Sequence, residues 1–171
     1  HWGLDETLQR AKGMFALSLW DRAEKRLSLA RDRMGEKPLY WGWAGQALVF
    51  GSELKALRAH PDCPREVCRA ALAQYLRFMY VPAPRSIHPG LYKLEPGTIL
   101  AVDGAPPATP PEQPIRPGGH YGGIGIRRYW DLNAEIEAGA QDQIEDDGDA
   151  VATLGEVLGK AVQRQMISDV P

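Results

Sequence analysis

Between Phe15 and Phe50 the chain carries four short stretches of alternating side chains, and this spacing constrains the fold more than any other feature. Phe15, Leu17 and Leu19 alternate with Ala16, Ser18 and Trp20, and Leu27, Leu29 and Arg31 alternate with Ser28, Ala30 and Asp32. A period of two marks strands with two unlike faces, and the polar run 21–26 between them predicts an antiparallel hairpin. Residues 39–43 and 47–50, joined through Ala44, Gly45 and Gln46, predict a second hairpin. Two successive hairpins read as an antiparallel meander rather than a parallel sheet.

Helical spacing frames this region. Leu4, Leu8 and Ala11 suit the end of a helix stopped by Gly13. Ser52 reads as the N-cap of a helix over 53–60, with Pro61 after its end. A further helix over 64–80 aligns Cys68, Leu72, Tyr75, Leu76 and Met79 in one stripe. Strands followed by helices predict an α+β layered fold with mostly antiparallel strands.

Short strands resume over 91–102 around a turn at Glu95, Pro96 and Gly97. Residues 105–117 are rich in proline and 118–125 in glycine, so 105–125 reads as a loop insertion. Residues 128–132 suit a last short strand, and 133–148 an acidic linker. The helix beginning at 149, capped by Asp149, repeats Val151, Leu154, Leu158, Ala161 and Val162 on one face. That face needs a partner, which predicts the start of a second domain at 149–171. The domain boundaries expected are therefore 1–132, 133–148 and 149–171. His1 and Pro171 both read as interior positions of a longer chain.

Charge and metal chemistry exclude several functions. The net charge of -2 arises from 20 basic and 22 acidic residues that are interspersed, which leaves no footprint for nucleic acid or an anionic membrane. The apolar runs fall short of the roughly 18 residues that span a bilayer, so the expected location is cytoplasmic. His1, His60, His88 and His120 are scattered, and Cys63 and Cys68 lack the spacing of a redox or zinc motif. Gly51, Ser52 and Glu53 fit helix capping rather than a nucleophile elbow. The run 122–126 lacks the Lys and Ser/Thr of a phosphate loop and reads as a flexible loop.

The segment 30–40 differs, because charges end an otherwise apolar strand. Arg31 and Asp32 point to opposite faces, so one of them enters a buried layer and needs a partner there. Structural pairing among Arg31, Asp32, Gly35, Lys37 and Pro38 is favoured over direct contact with a substrate.

This segment and its neighbours carry a resemblance. The stretches 13–17, 20–21, 29–33, 35–40 and 50–57, followed by 74–78, 81–87, 93–97, 128–132 and 164–171, resemble glutamine-hydrolysing asparagine synthetases in order and spacing. The resemblance implies a class II glutaminase domain of αββα, N-terminal-nucleophile type, of which this chain would be the C-terminal half, joined to an ATP-pyrophosphatase synthetase domain. It implies that glutamine is hydrolysed at the first centre and that ammonia passes to the second. There ATP and Mg2+ would activate the side-chain carboxylate of aspartate as an adenylate.

The implied nucleophile is an N-terminal cysteine whose own α-amino group is the base. Neither Cys63 nor Cys68 can replace it, since each is internal. No residue of the chain is thus expected to be catalytic, and the implied role is scaffolding. Met14 is open to two readings, core packing or an apolar lining for the ammonia passage. A homodimer through the glutaminase domain is a further expectation. Rival readings are a β-lactam synthetase, a lasso-peptide cyclase, a polysaccharide amidotransferase, or a non-catalytic binding module.

Overall fold

A computed structural model describes residues 2–166. The chain divides into two units, His1–Asp131 and Leu132–Pro171. The larger unit begins with helix α1 (Gly3–Arg10), whose one buried side chain is Leu8. Strands β1 (Ala16–Asp21) and β2 (Arg26–Arg31) then pair antiparallel, and Asp21 Oδ1 closes their turn by accepting from the Ala23 and Glu24 N–H groups. Strands β3 (Tyr40–Ala44) and β4 (Ala47–Gly51) form the second hairpin.

The two hairpins do not continue into one meander. β1 and β2 join β6 (Thr98–Asp103), β8 (Ile124–Arg128) and β7 (His120–Tyr121) in a five-stranded sheet of order β1-β2-β6-β8-β7, while β3 joins β4 and β5 (Leu91–Lys93) in a three-stranded sheet of order β4-β3-β5. Every pairing is antiparallel. The faces explain the division. Leu29, Leu100, Val102, Ile124 and Ile126 on one sheet pack against Trp41, Trp43 and Tyr92 on the other, so each sheet buries its apolar face against its partner. Leu8 of α1 covers the opposite face of the larger sheet at Ala30 and Ile99. Leu57 of helix α2 (Leu54–Leu57) covers the smaller sheet at Ala44 and Leu91. The unit is therefore an α+β arrangement with antiparallel strands.

Several expectations need correction. Ser52 does not cap α2: Glu53 holds the N-cap position in extended conformation, no side chain caps the helix, and Glu53 pairs with Lys55 instead. The helix expected over 64–80 is α3 (Arg69–Phe78), preceded by Cys68 in extended conformation. Its apolar stripe is not buried, since Leu72, Tyr75, Leu76 and Met79 are exposed and Ala71 is the residue turned inward. The run 122–126, expected as a flexible loop, is the β7–β8 turn followed by the first residues of β8. Its glycines make the turn between β7 and β8, and Ile124 and Ile126 alternate with Gly125 to enter the core. The expected strand over 128–132 is displaced toward the N-terminus, because pairing with β6 ends at Arg128.

In the smaller unit, residues 133–141 of the stretch 133–148 expected as a linker lie in helix α4 (Leu132–Gln141). Its alanines and glutamates favour a helix even without an apolar stripe. Helix α5 (Asp147–Gln165) is capped by Asp146, whose side chain accepts from the Asp149 N–H at 2.9 Å, rather than by Asp149 itself. The expectations for His1 and for residues 167–171, which end the stretch 164–171, lie outside the described residues.

Candidate functional site

The segment after β2 forms a dense polar cluster. Asp32 is 1% exposed, and its two carboxylate oxygens accept from the Glu36 and Lys37 N–H groups at 2.9 Å each. Its carbonyl accepts from the Gly35 and Gly97 N–H groups, and its own N–H donates to the Phe15 carbonyl. A carboxylate this deeply buried needs such donors, because leaving its oxygens unpaired away from water is costly.

Arg31 turns the other way, as alternation requires, and its guanidinium donates to the Lys37, Leu94 and Gly35 carbonyls. Burial pulls the Arg31 pKa down, against the opposing pull of Asp32 and Tyr40. The two charges thus divide the surrounding backbone between them, Asp32 taking N–H groups and Arg31 taking carbonyls. Gly35 supplies one of those carbonyls, and Lys37 contributes its N–H to Asp32 and its carbonyl to Arg31. Pro38 lies between that junction and β3.

Three further residues complete the cluster, Arg33 and Tyr129 from stretches the sequence had singled out and Gln9 from outside them. The Tyr129 hydroxyl donates to the Arg31 carbonyl at 2.9 Å, Gln9 Nε2 donates to the Tyr129 carbonyl, and Arg33 donates to the Gln9 carbonyl. Glu95, in the next turn, binds Arg116 through one carboxylate oxygen and Arg128 through the other. The stretches around Glu95 and Tyr129 had a sequence signal as short motifs, but nothing in the sequence marked Gln9. Through these bonds the ends of α1, β2 and β8 and the approaches to β1 and β6 are fixed to one point. The cluster offers no nucleophile beside a base, so its chemistry is positional.

Burial pushes the Tyr129 phenol up from 10.0 to about 12. Unfolding returns it to its ordinary value, so between those two pH values the unfolded chain gives up a proton that the folded chain keeps. The contribution of Tyr129 is therefore complete below pH 10 and is lost as pH rises toward about 12. Urea midpoints measured across that range fall more steeply for the wild-type chain than for Tyr129→Phe.

The remaining candidates sit apart from this cluster. Met14, just before β1, is 48% exposed. Cys63 is buried and Cys68 partly buried, both are free thiols, and burial pushes the Cys63 thiol up, away from the reactive thiolate. A groove of about 480 Å³ beside α3 is lined by Tyr40, Leu54, Leu72, Tyr75, Met79 and Lys93 among others. Among the described residues no three His, Cys, Asp or Glu side chains converge as metal ligands. The Gly122 and Gly123 turn joins two strands and opens no helix, so this turn lacks the helix N-terminus on which a phosphate loop depends.

Residues 1–109 match the glutamine amidotransferase domain. The chain belongs to that family. Over 168 residues this amidotransferase chain is 30% identical to asparagine synthetase [glutamine-hydrolyzing] 3 of Bacillus subtilis (strain 168), an alignment covering 98% of the chain and 24% of that protein. Asparagine synthetase [glutamine-hydrolyzing] 1 of the same organism is also 30% identical over 168 residues, covering 98% of the chain and 23% of that protein. A putative asparagine synthetase [glutamine-hydrolyzing] of Mycobacterium tuberculosis (strain ATCC 25618 / H37Rv) is 39% identical over 105 residues, 60% of the chain and 16% of that protein. The amidotransferase chain thus spans about a quarter of the length of the Bacillus relatives it matches. No helix among its described residues is long and apolar enough to cross a membrane.

Proposed function

We propose that this chain is the scaffold of the glutamine-hydrolysing half of an ATP-dependent asparagine synthetase, in which ammonia from glutamine is transferred to the side-chain carboxylate of aspartate. Similarity over 98% of the chain to a protein named for that reaction carries the reading. The α+β arrangement and the position of the buried Asp32 cluster at the end of β2 support it. In this reading residues 1–132 belong to the glutaminase domain, an N-terminal-nucleophile sandwich, and residues 149–171 begin the synthetase domain. The chain's own residues then act by placement. Arg31, Asp32, Tyr129 and Gln9 lock the backbone around Phe15, and so fix the segment that carries Met14.

The full-length protein, given glutamine, aspartate and Mg-ATP, forms asparagine together with AMP and pyrophosphate. Glutamine consumption with another amidated product, or with none, overturns the assignment of aspartate. Met14 is assigned to the wall of the ammonia passage, where an apolar surface keeps ammonia unprotonated. Met14→Lys in the full-length protein leaves glutamine hydrolysis intact but releases ammonia without matching asparagine. Full coupling in that variant removes Met14 from the passage.

A further inference from the structure

The proline-rich stretch does not wander over the surface; it is seated on aromatic rings. Trp43 Nε1 donates to the Pro107 carbonyl at 2.7 Å and the Tyr92 hydroxyl donates to the Pro111 carbonyl at 3.3 Å. The Thr109 hydroxyl meets the Tyr121 hydroxyl at 3.4 Å. The rings beneath form one surface. Trp43 stands edge-on to Tyr121 with centroids 6.3 Å apart, and Trp41 lies 5.7 Å from Trp43 and 5.2 Å from Tyr92. Aromatic rings presenting N–H and O–H donors to proline carbonyls are the recognition mode of proline-rich ligands, whose backbone is stiff and whose carbonyls have lost competing N–H neighbours.

The fit extends to the ring contacts. A Cβ added at Gly122 would lie 2.4 Å from Pro107 Cγ, so the glycine in the β7–β8 turn leaves the space that the proline ring fills. Pro110 Cγ sits 3.8 Å from the equivalent position at Gly90. The attachment is nevertheless slight. Among the described residues no backbone N–H of residues 105–114 donates to another backbone carbonyl, and every side chain in that stretch is exposed or partly exposed. At one end a Cβ added at Gly104 would meet nothing within 4 Å, and at the other the buried Ile115 fixes the chain to the core.

We infer that residues 105–114 are a detachable strap, and that the Trp43, Tyr92 and Tyr121 surface is a proline-rich peptide site filled by the chain's own segment. Pre-stiffened prolines lose little entropy on seating, which lets so few bonds hold the strap. Bonds so few open without unfolding either sheet.

Hydrogen exchange of the Trp43 indole N–H in the whole chain, assigned with Trp43→Phe, tests this. Exchange at least tenfold faster than that of the β6 backbone amides, slowed by a free peptide with the sequence of residues 104–114, is the expected result. A peptide with alanine replacing Pro107 and Pro111 gives no such protection. Pro107→Ala, which keeps the acceptor carbonyl but frees the backbone, raises the exchange rate further. Exchange no faster than that of the β6 amides, no protection by the native peptide, equal protection by the alanine peptide, or an unchanged rate in Pro107→Ala each overturns the inference.

Discussion

Asp32→Ala leaves the amidotransferase chain unfolded, or close to it, under conditions in which the wild-type chain is folded. The substitution strips the acceptor from the Glu36 and Lys37 N–H groups in a place that water does not reach. Each is a bond to a charged group worth about 1.5–3 kcal/mol, so the pair costs about 3–6 kcal/mol. Domains of this size are stable by roughly 5–15 kcal/mol, so the loss takes much of the total. The damage spreads, because the Asp32 main chain also joins Phe15, Gly35 and Gly97. Asp32→Asn keeps the shape and one acceptor oxygen, and its urea midpoint falls about half as far. An unfolding free energy for Asp32→Ala within about 0.5 kcal/mol of wild type, the usual range for an inconsequential surface change, would show that the cluster is decorative.

Gly42→Ala has a comparable effect for a different reason. In the middle of β3, an added Cβ would stand 2.2 Å from the Gly90 carbonyl oxygen and 2.8 Å from Leu91 Cα. Both neighbours are backbone, so neither can swing aside. The Gly90 oxygen accepts the Trp43 N–H at 3.1 Å, and Gly42 faces Leu91 across the β3–β5 ladder, so relieving the clash opens that end of the three-stranded sheet. Overpacking and backbone strain of about 1–3 kcal/mol each put the expected loss at about 2–6 kcal/mol. Trp41 and Trp43 flank the site and face the core, so tryptophan fluorescence during urea unfolding reads the change directly.

The sequence showed the hairpins and concealed their assignment to sheets. Period-2 alternation in Phe15 to Asp32 is local and survives in any context, hence β1 and β2 were legible. That Tyr40 to Gly51 belongs to a different sheet follows from Trp41 and Trp43 meeting Leu29 and Ile126 far along the chain, which no local spacing records. Glycines hid β8, because Gly122 and Gly123 look like loop while Ile124 and Ile126 are its buried face. The stripe on α3 misled in the opposite sense, being legible as a helix face yet exposed at Leu76 and Met79.

The charged cluster was half legible. Arg31 and Asp32 at the end of an apolar strand announced one buried charge in need of a partner, and the Gly35 turn was placed with them. Their partners are backbone groups, which every residue carries, so the sequence could not distinguish Leu94 or Gly97 from any other. Caps failed for a similar reason: Ser52, Glu53, Asp146 and Asp149 can all cap, and only the path of the backbone selects among them.

In the proposed reading these 171 residues supply the frame of a glutaminase and none of its reacting groups. Ammonia release from glutamine by the 171-residue chain, with folding checked by its exchange-protected β6 amides, tests it most directly. Release no faster than in buffer is expected, whether Cys63 and Cys68 are present or replaced by serine. Glutamine-dependent release by the folded chain, lost on Cys63→Ser or Cys68→Ser, would contradict it.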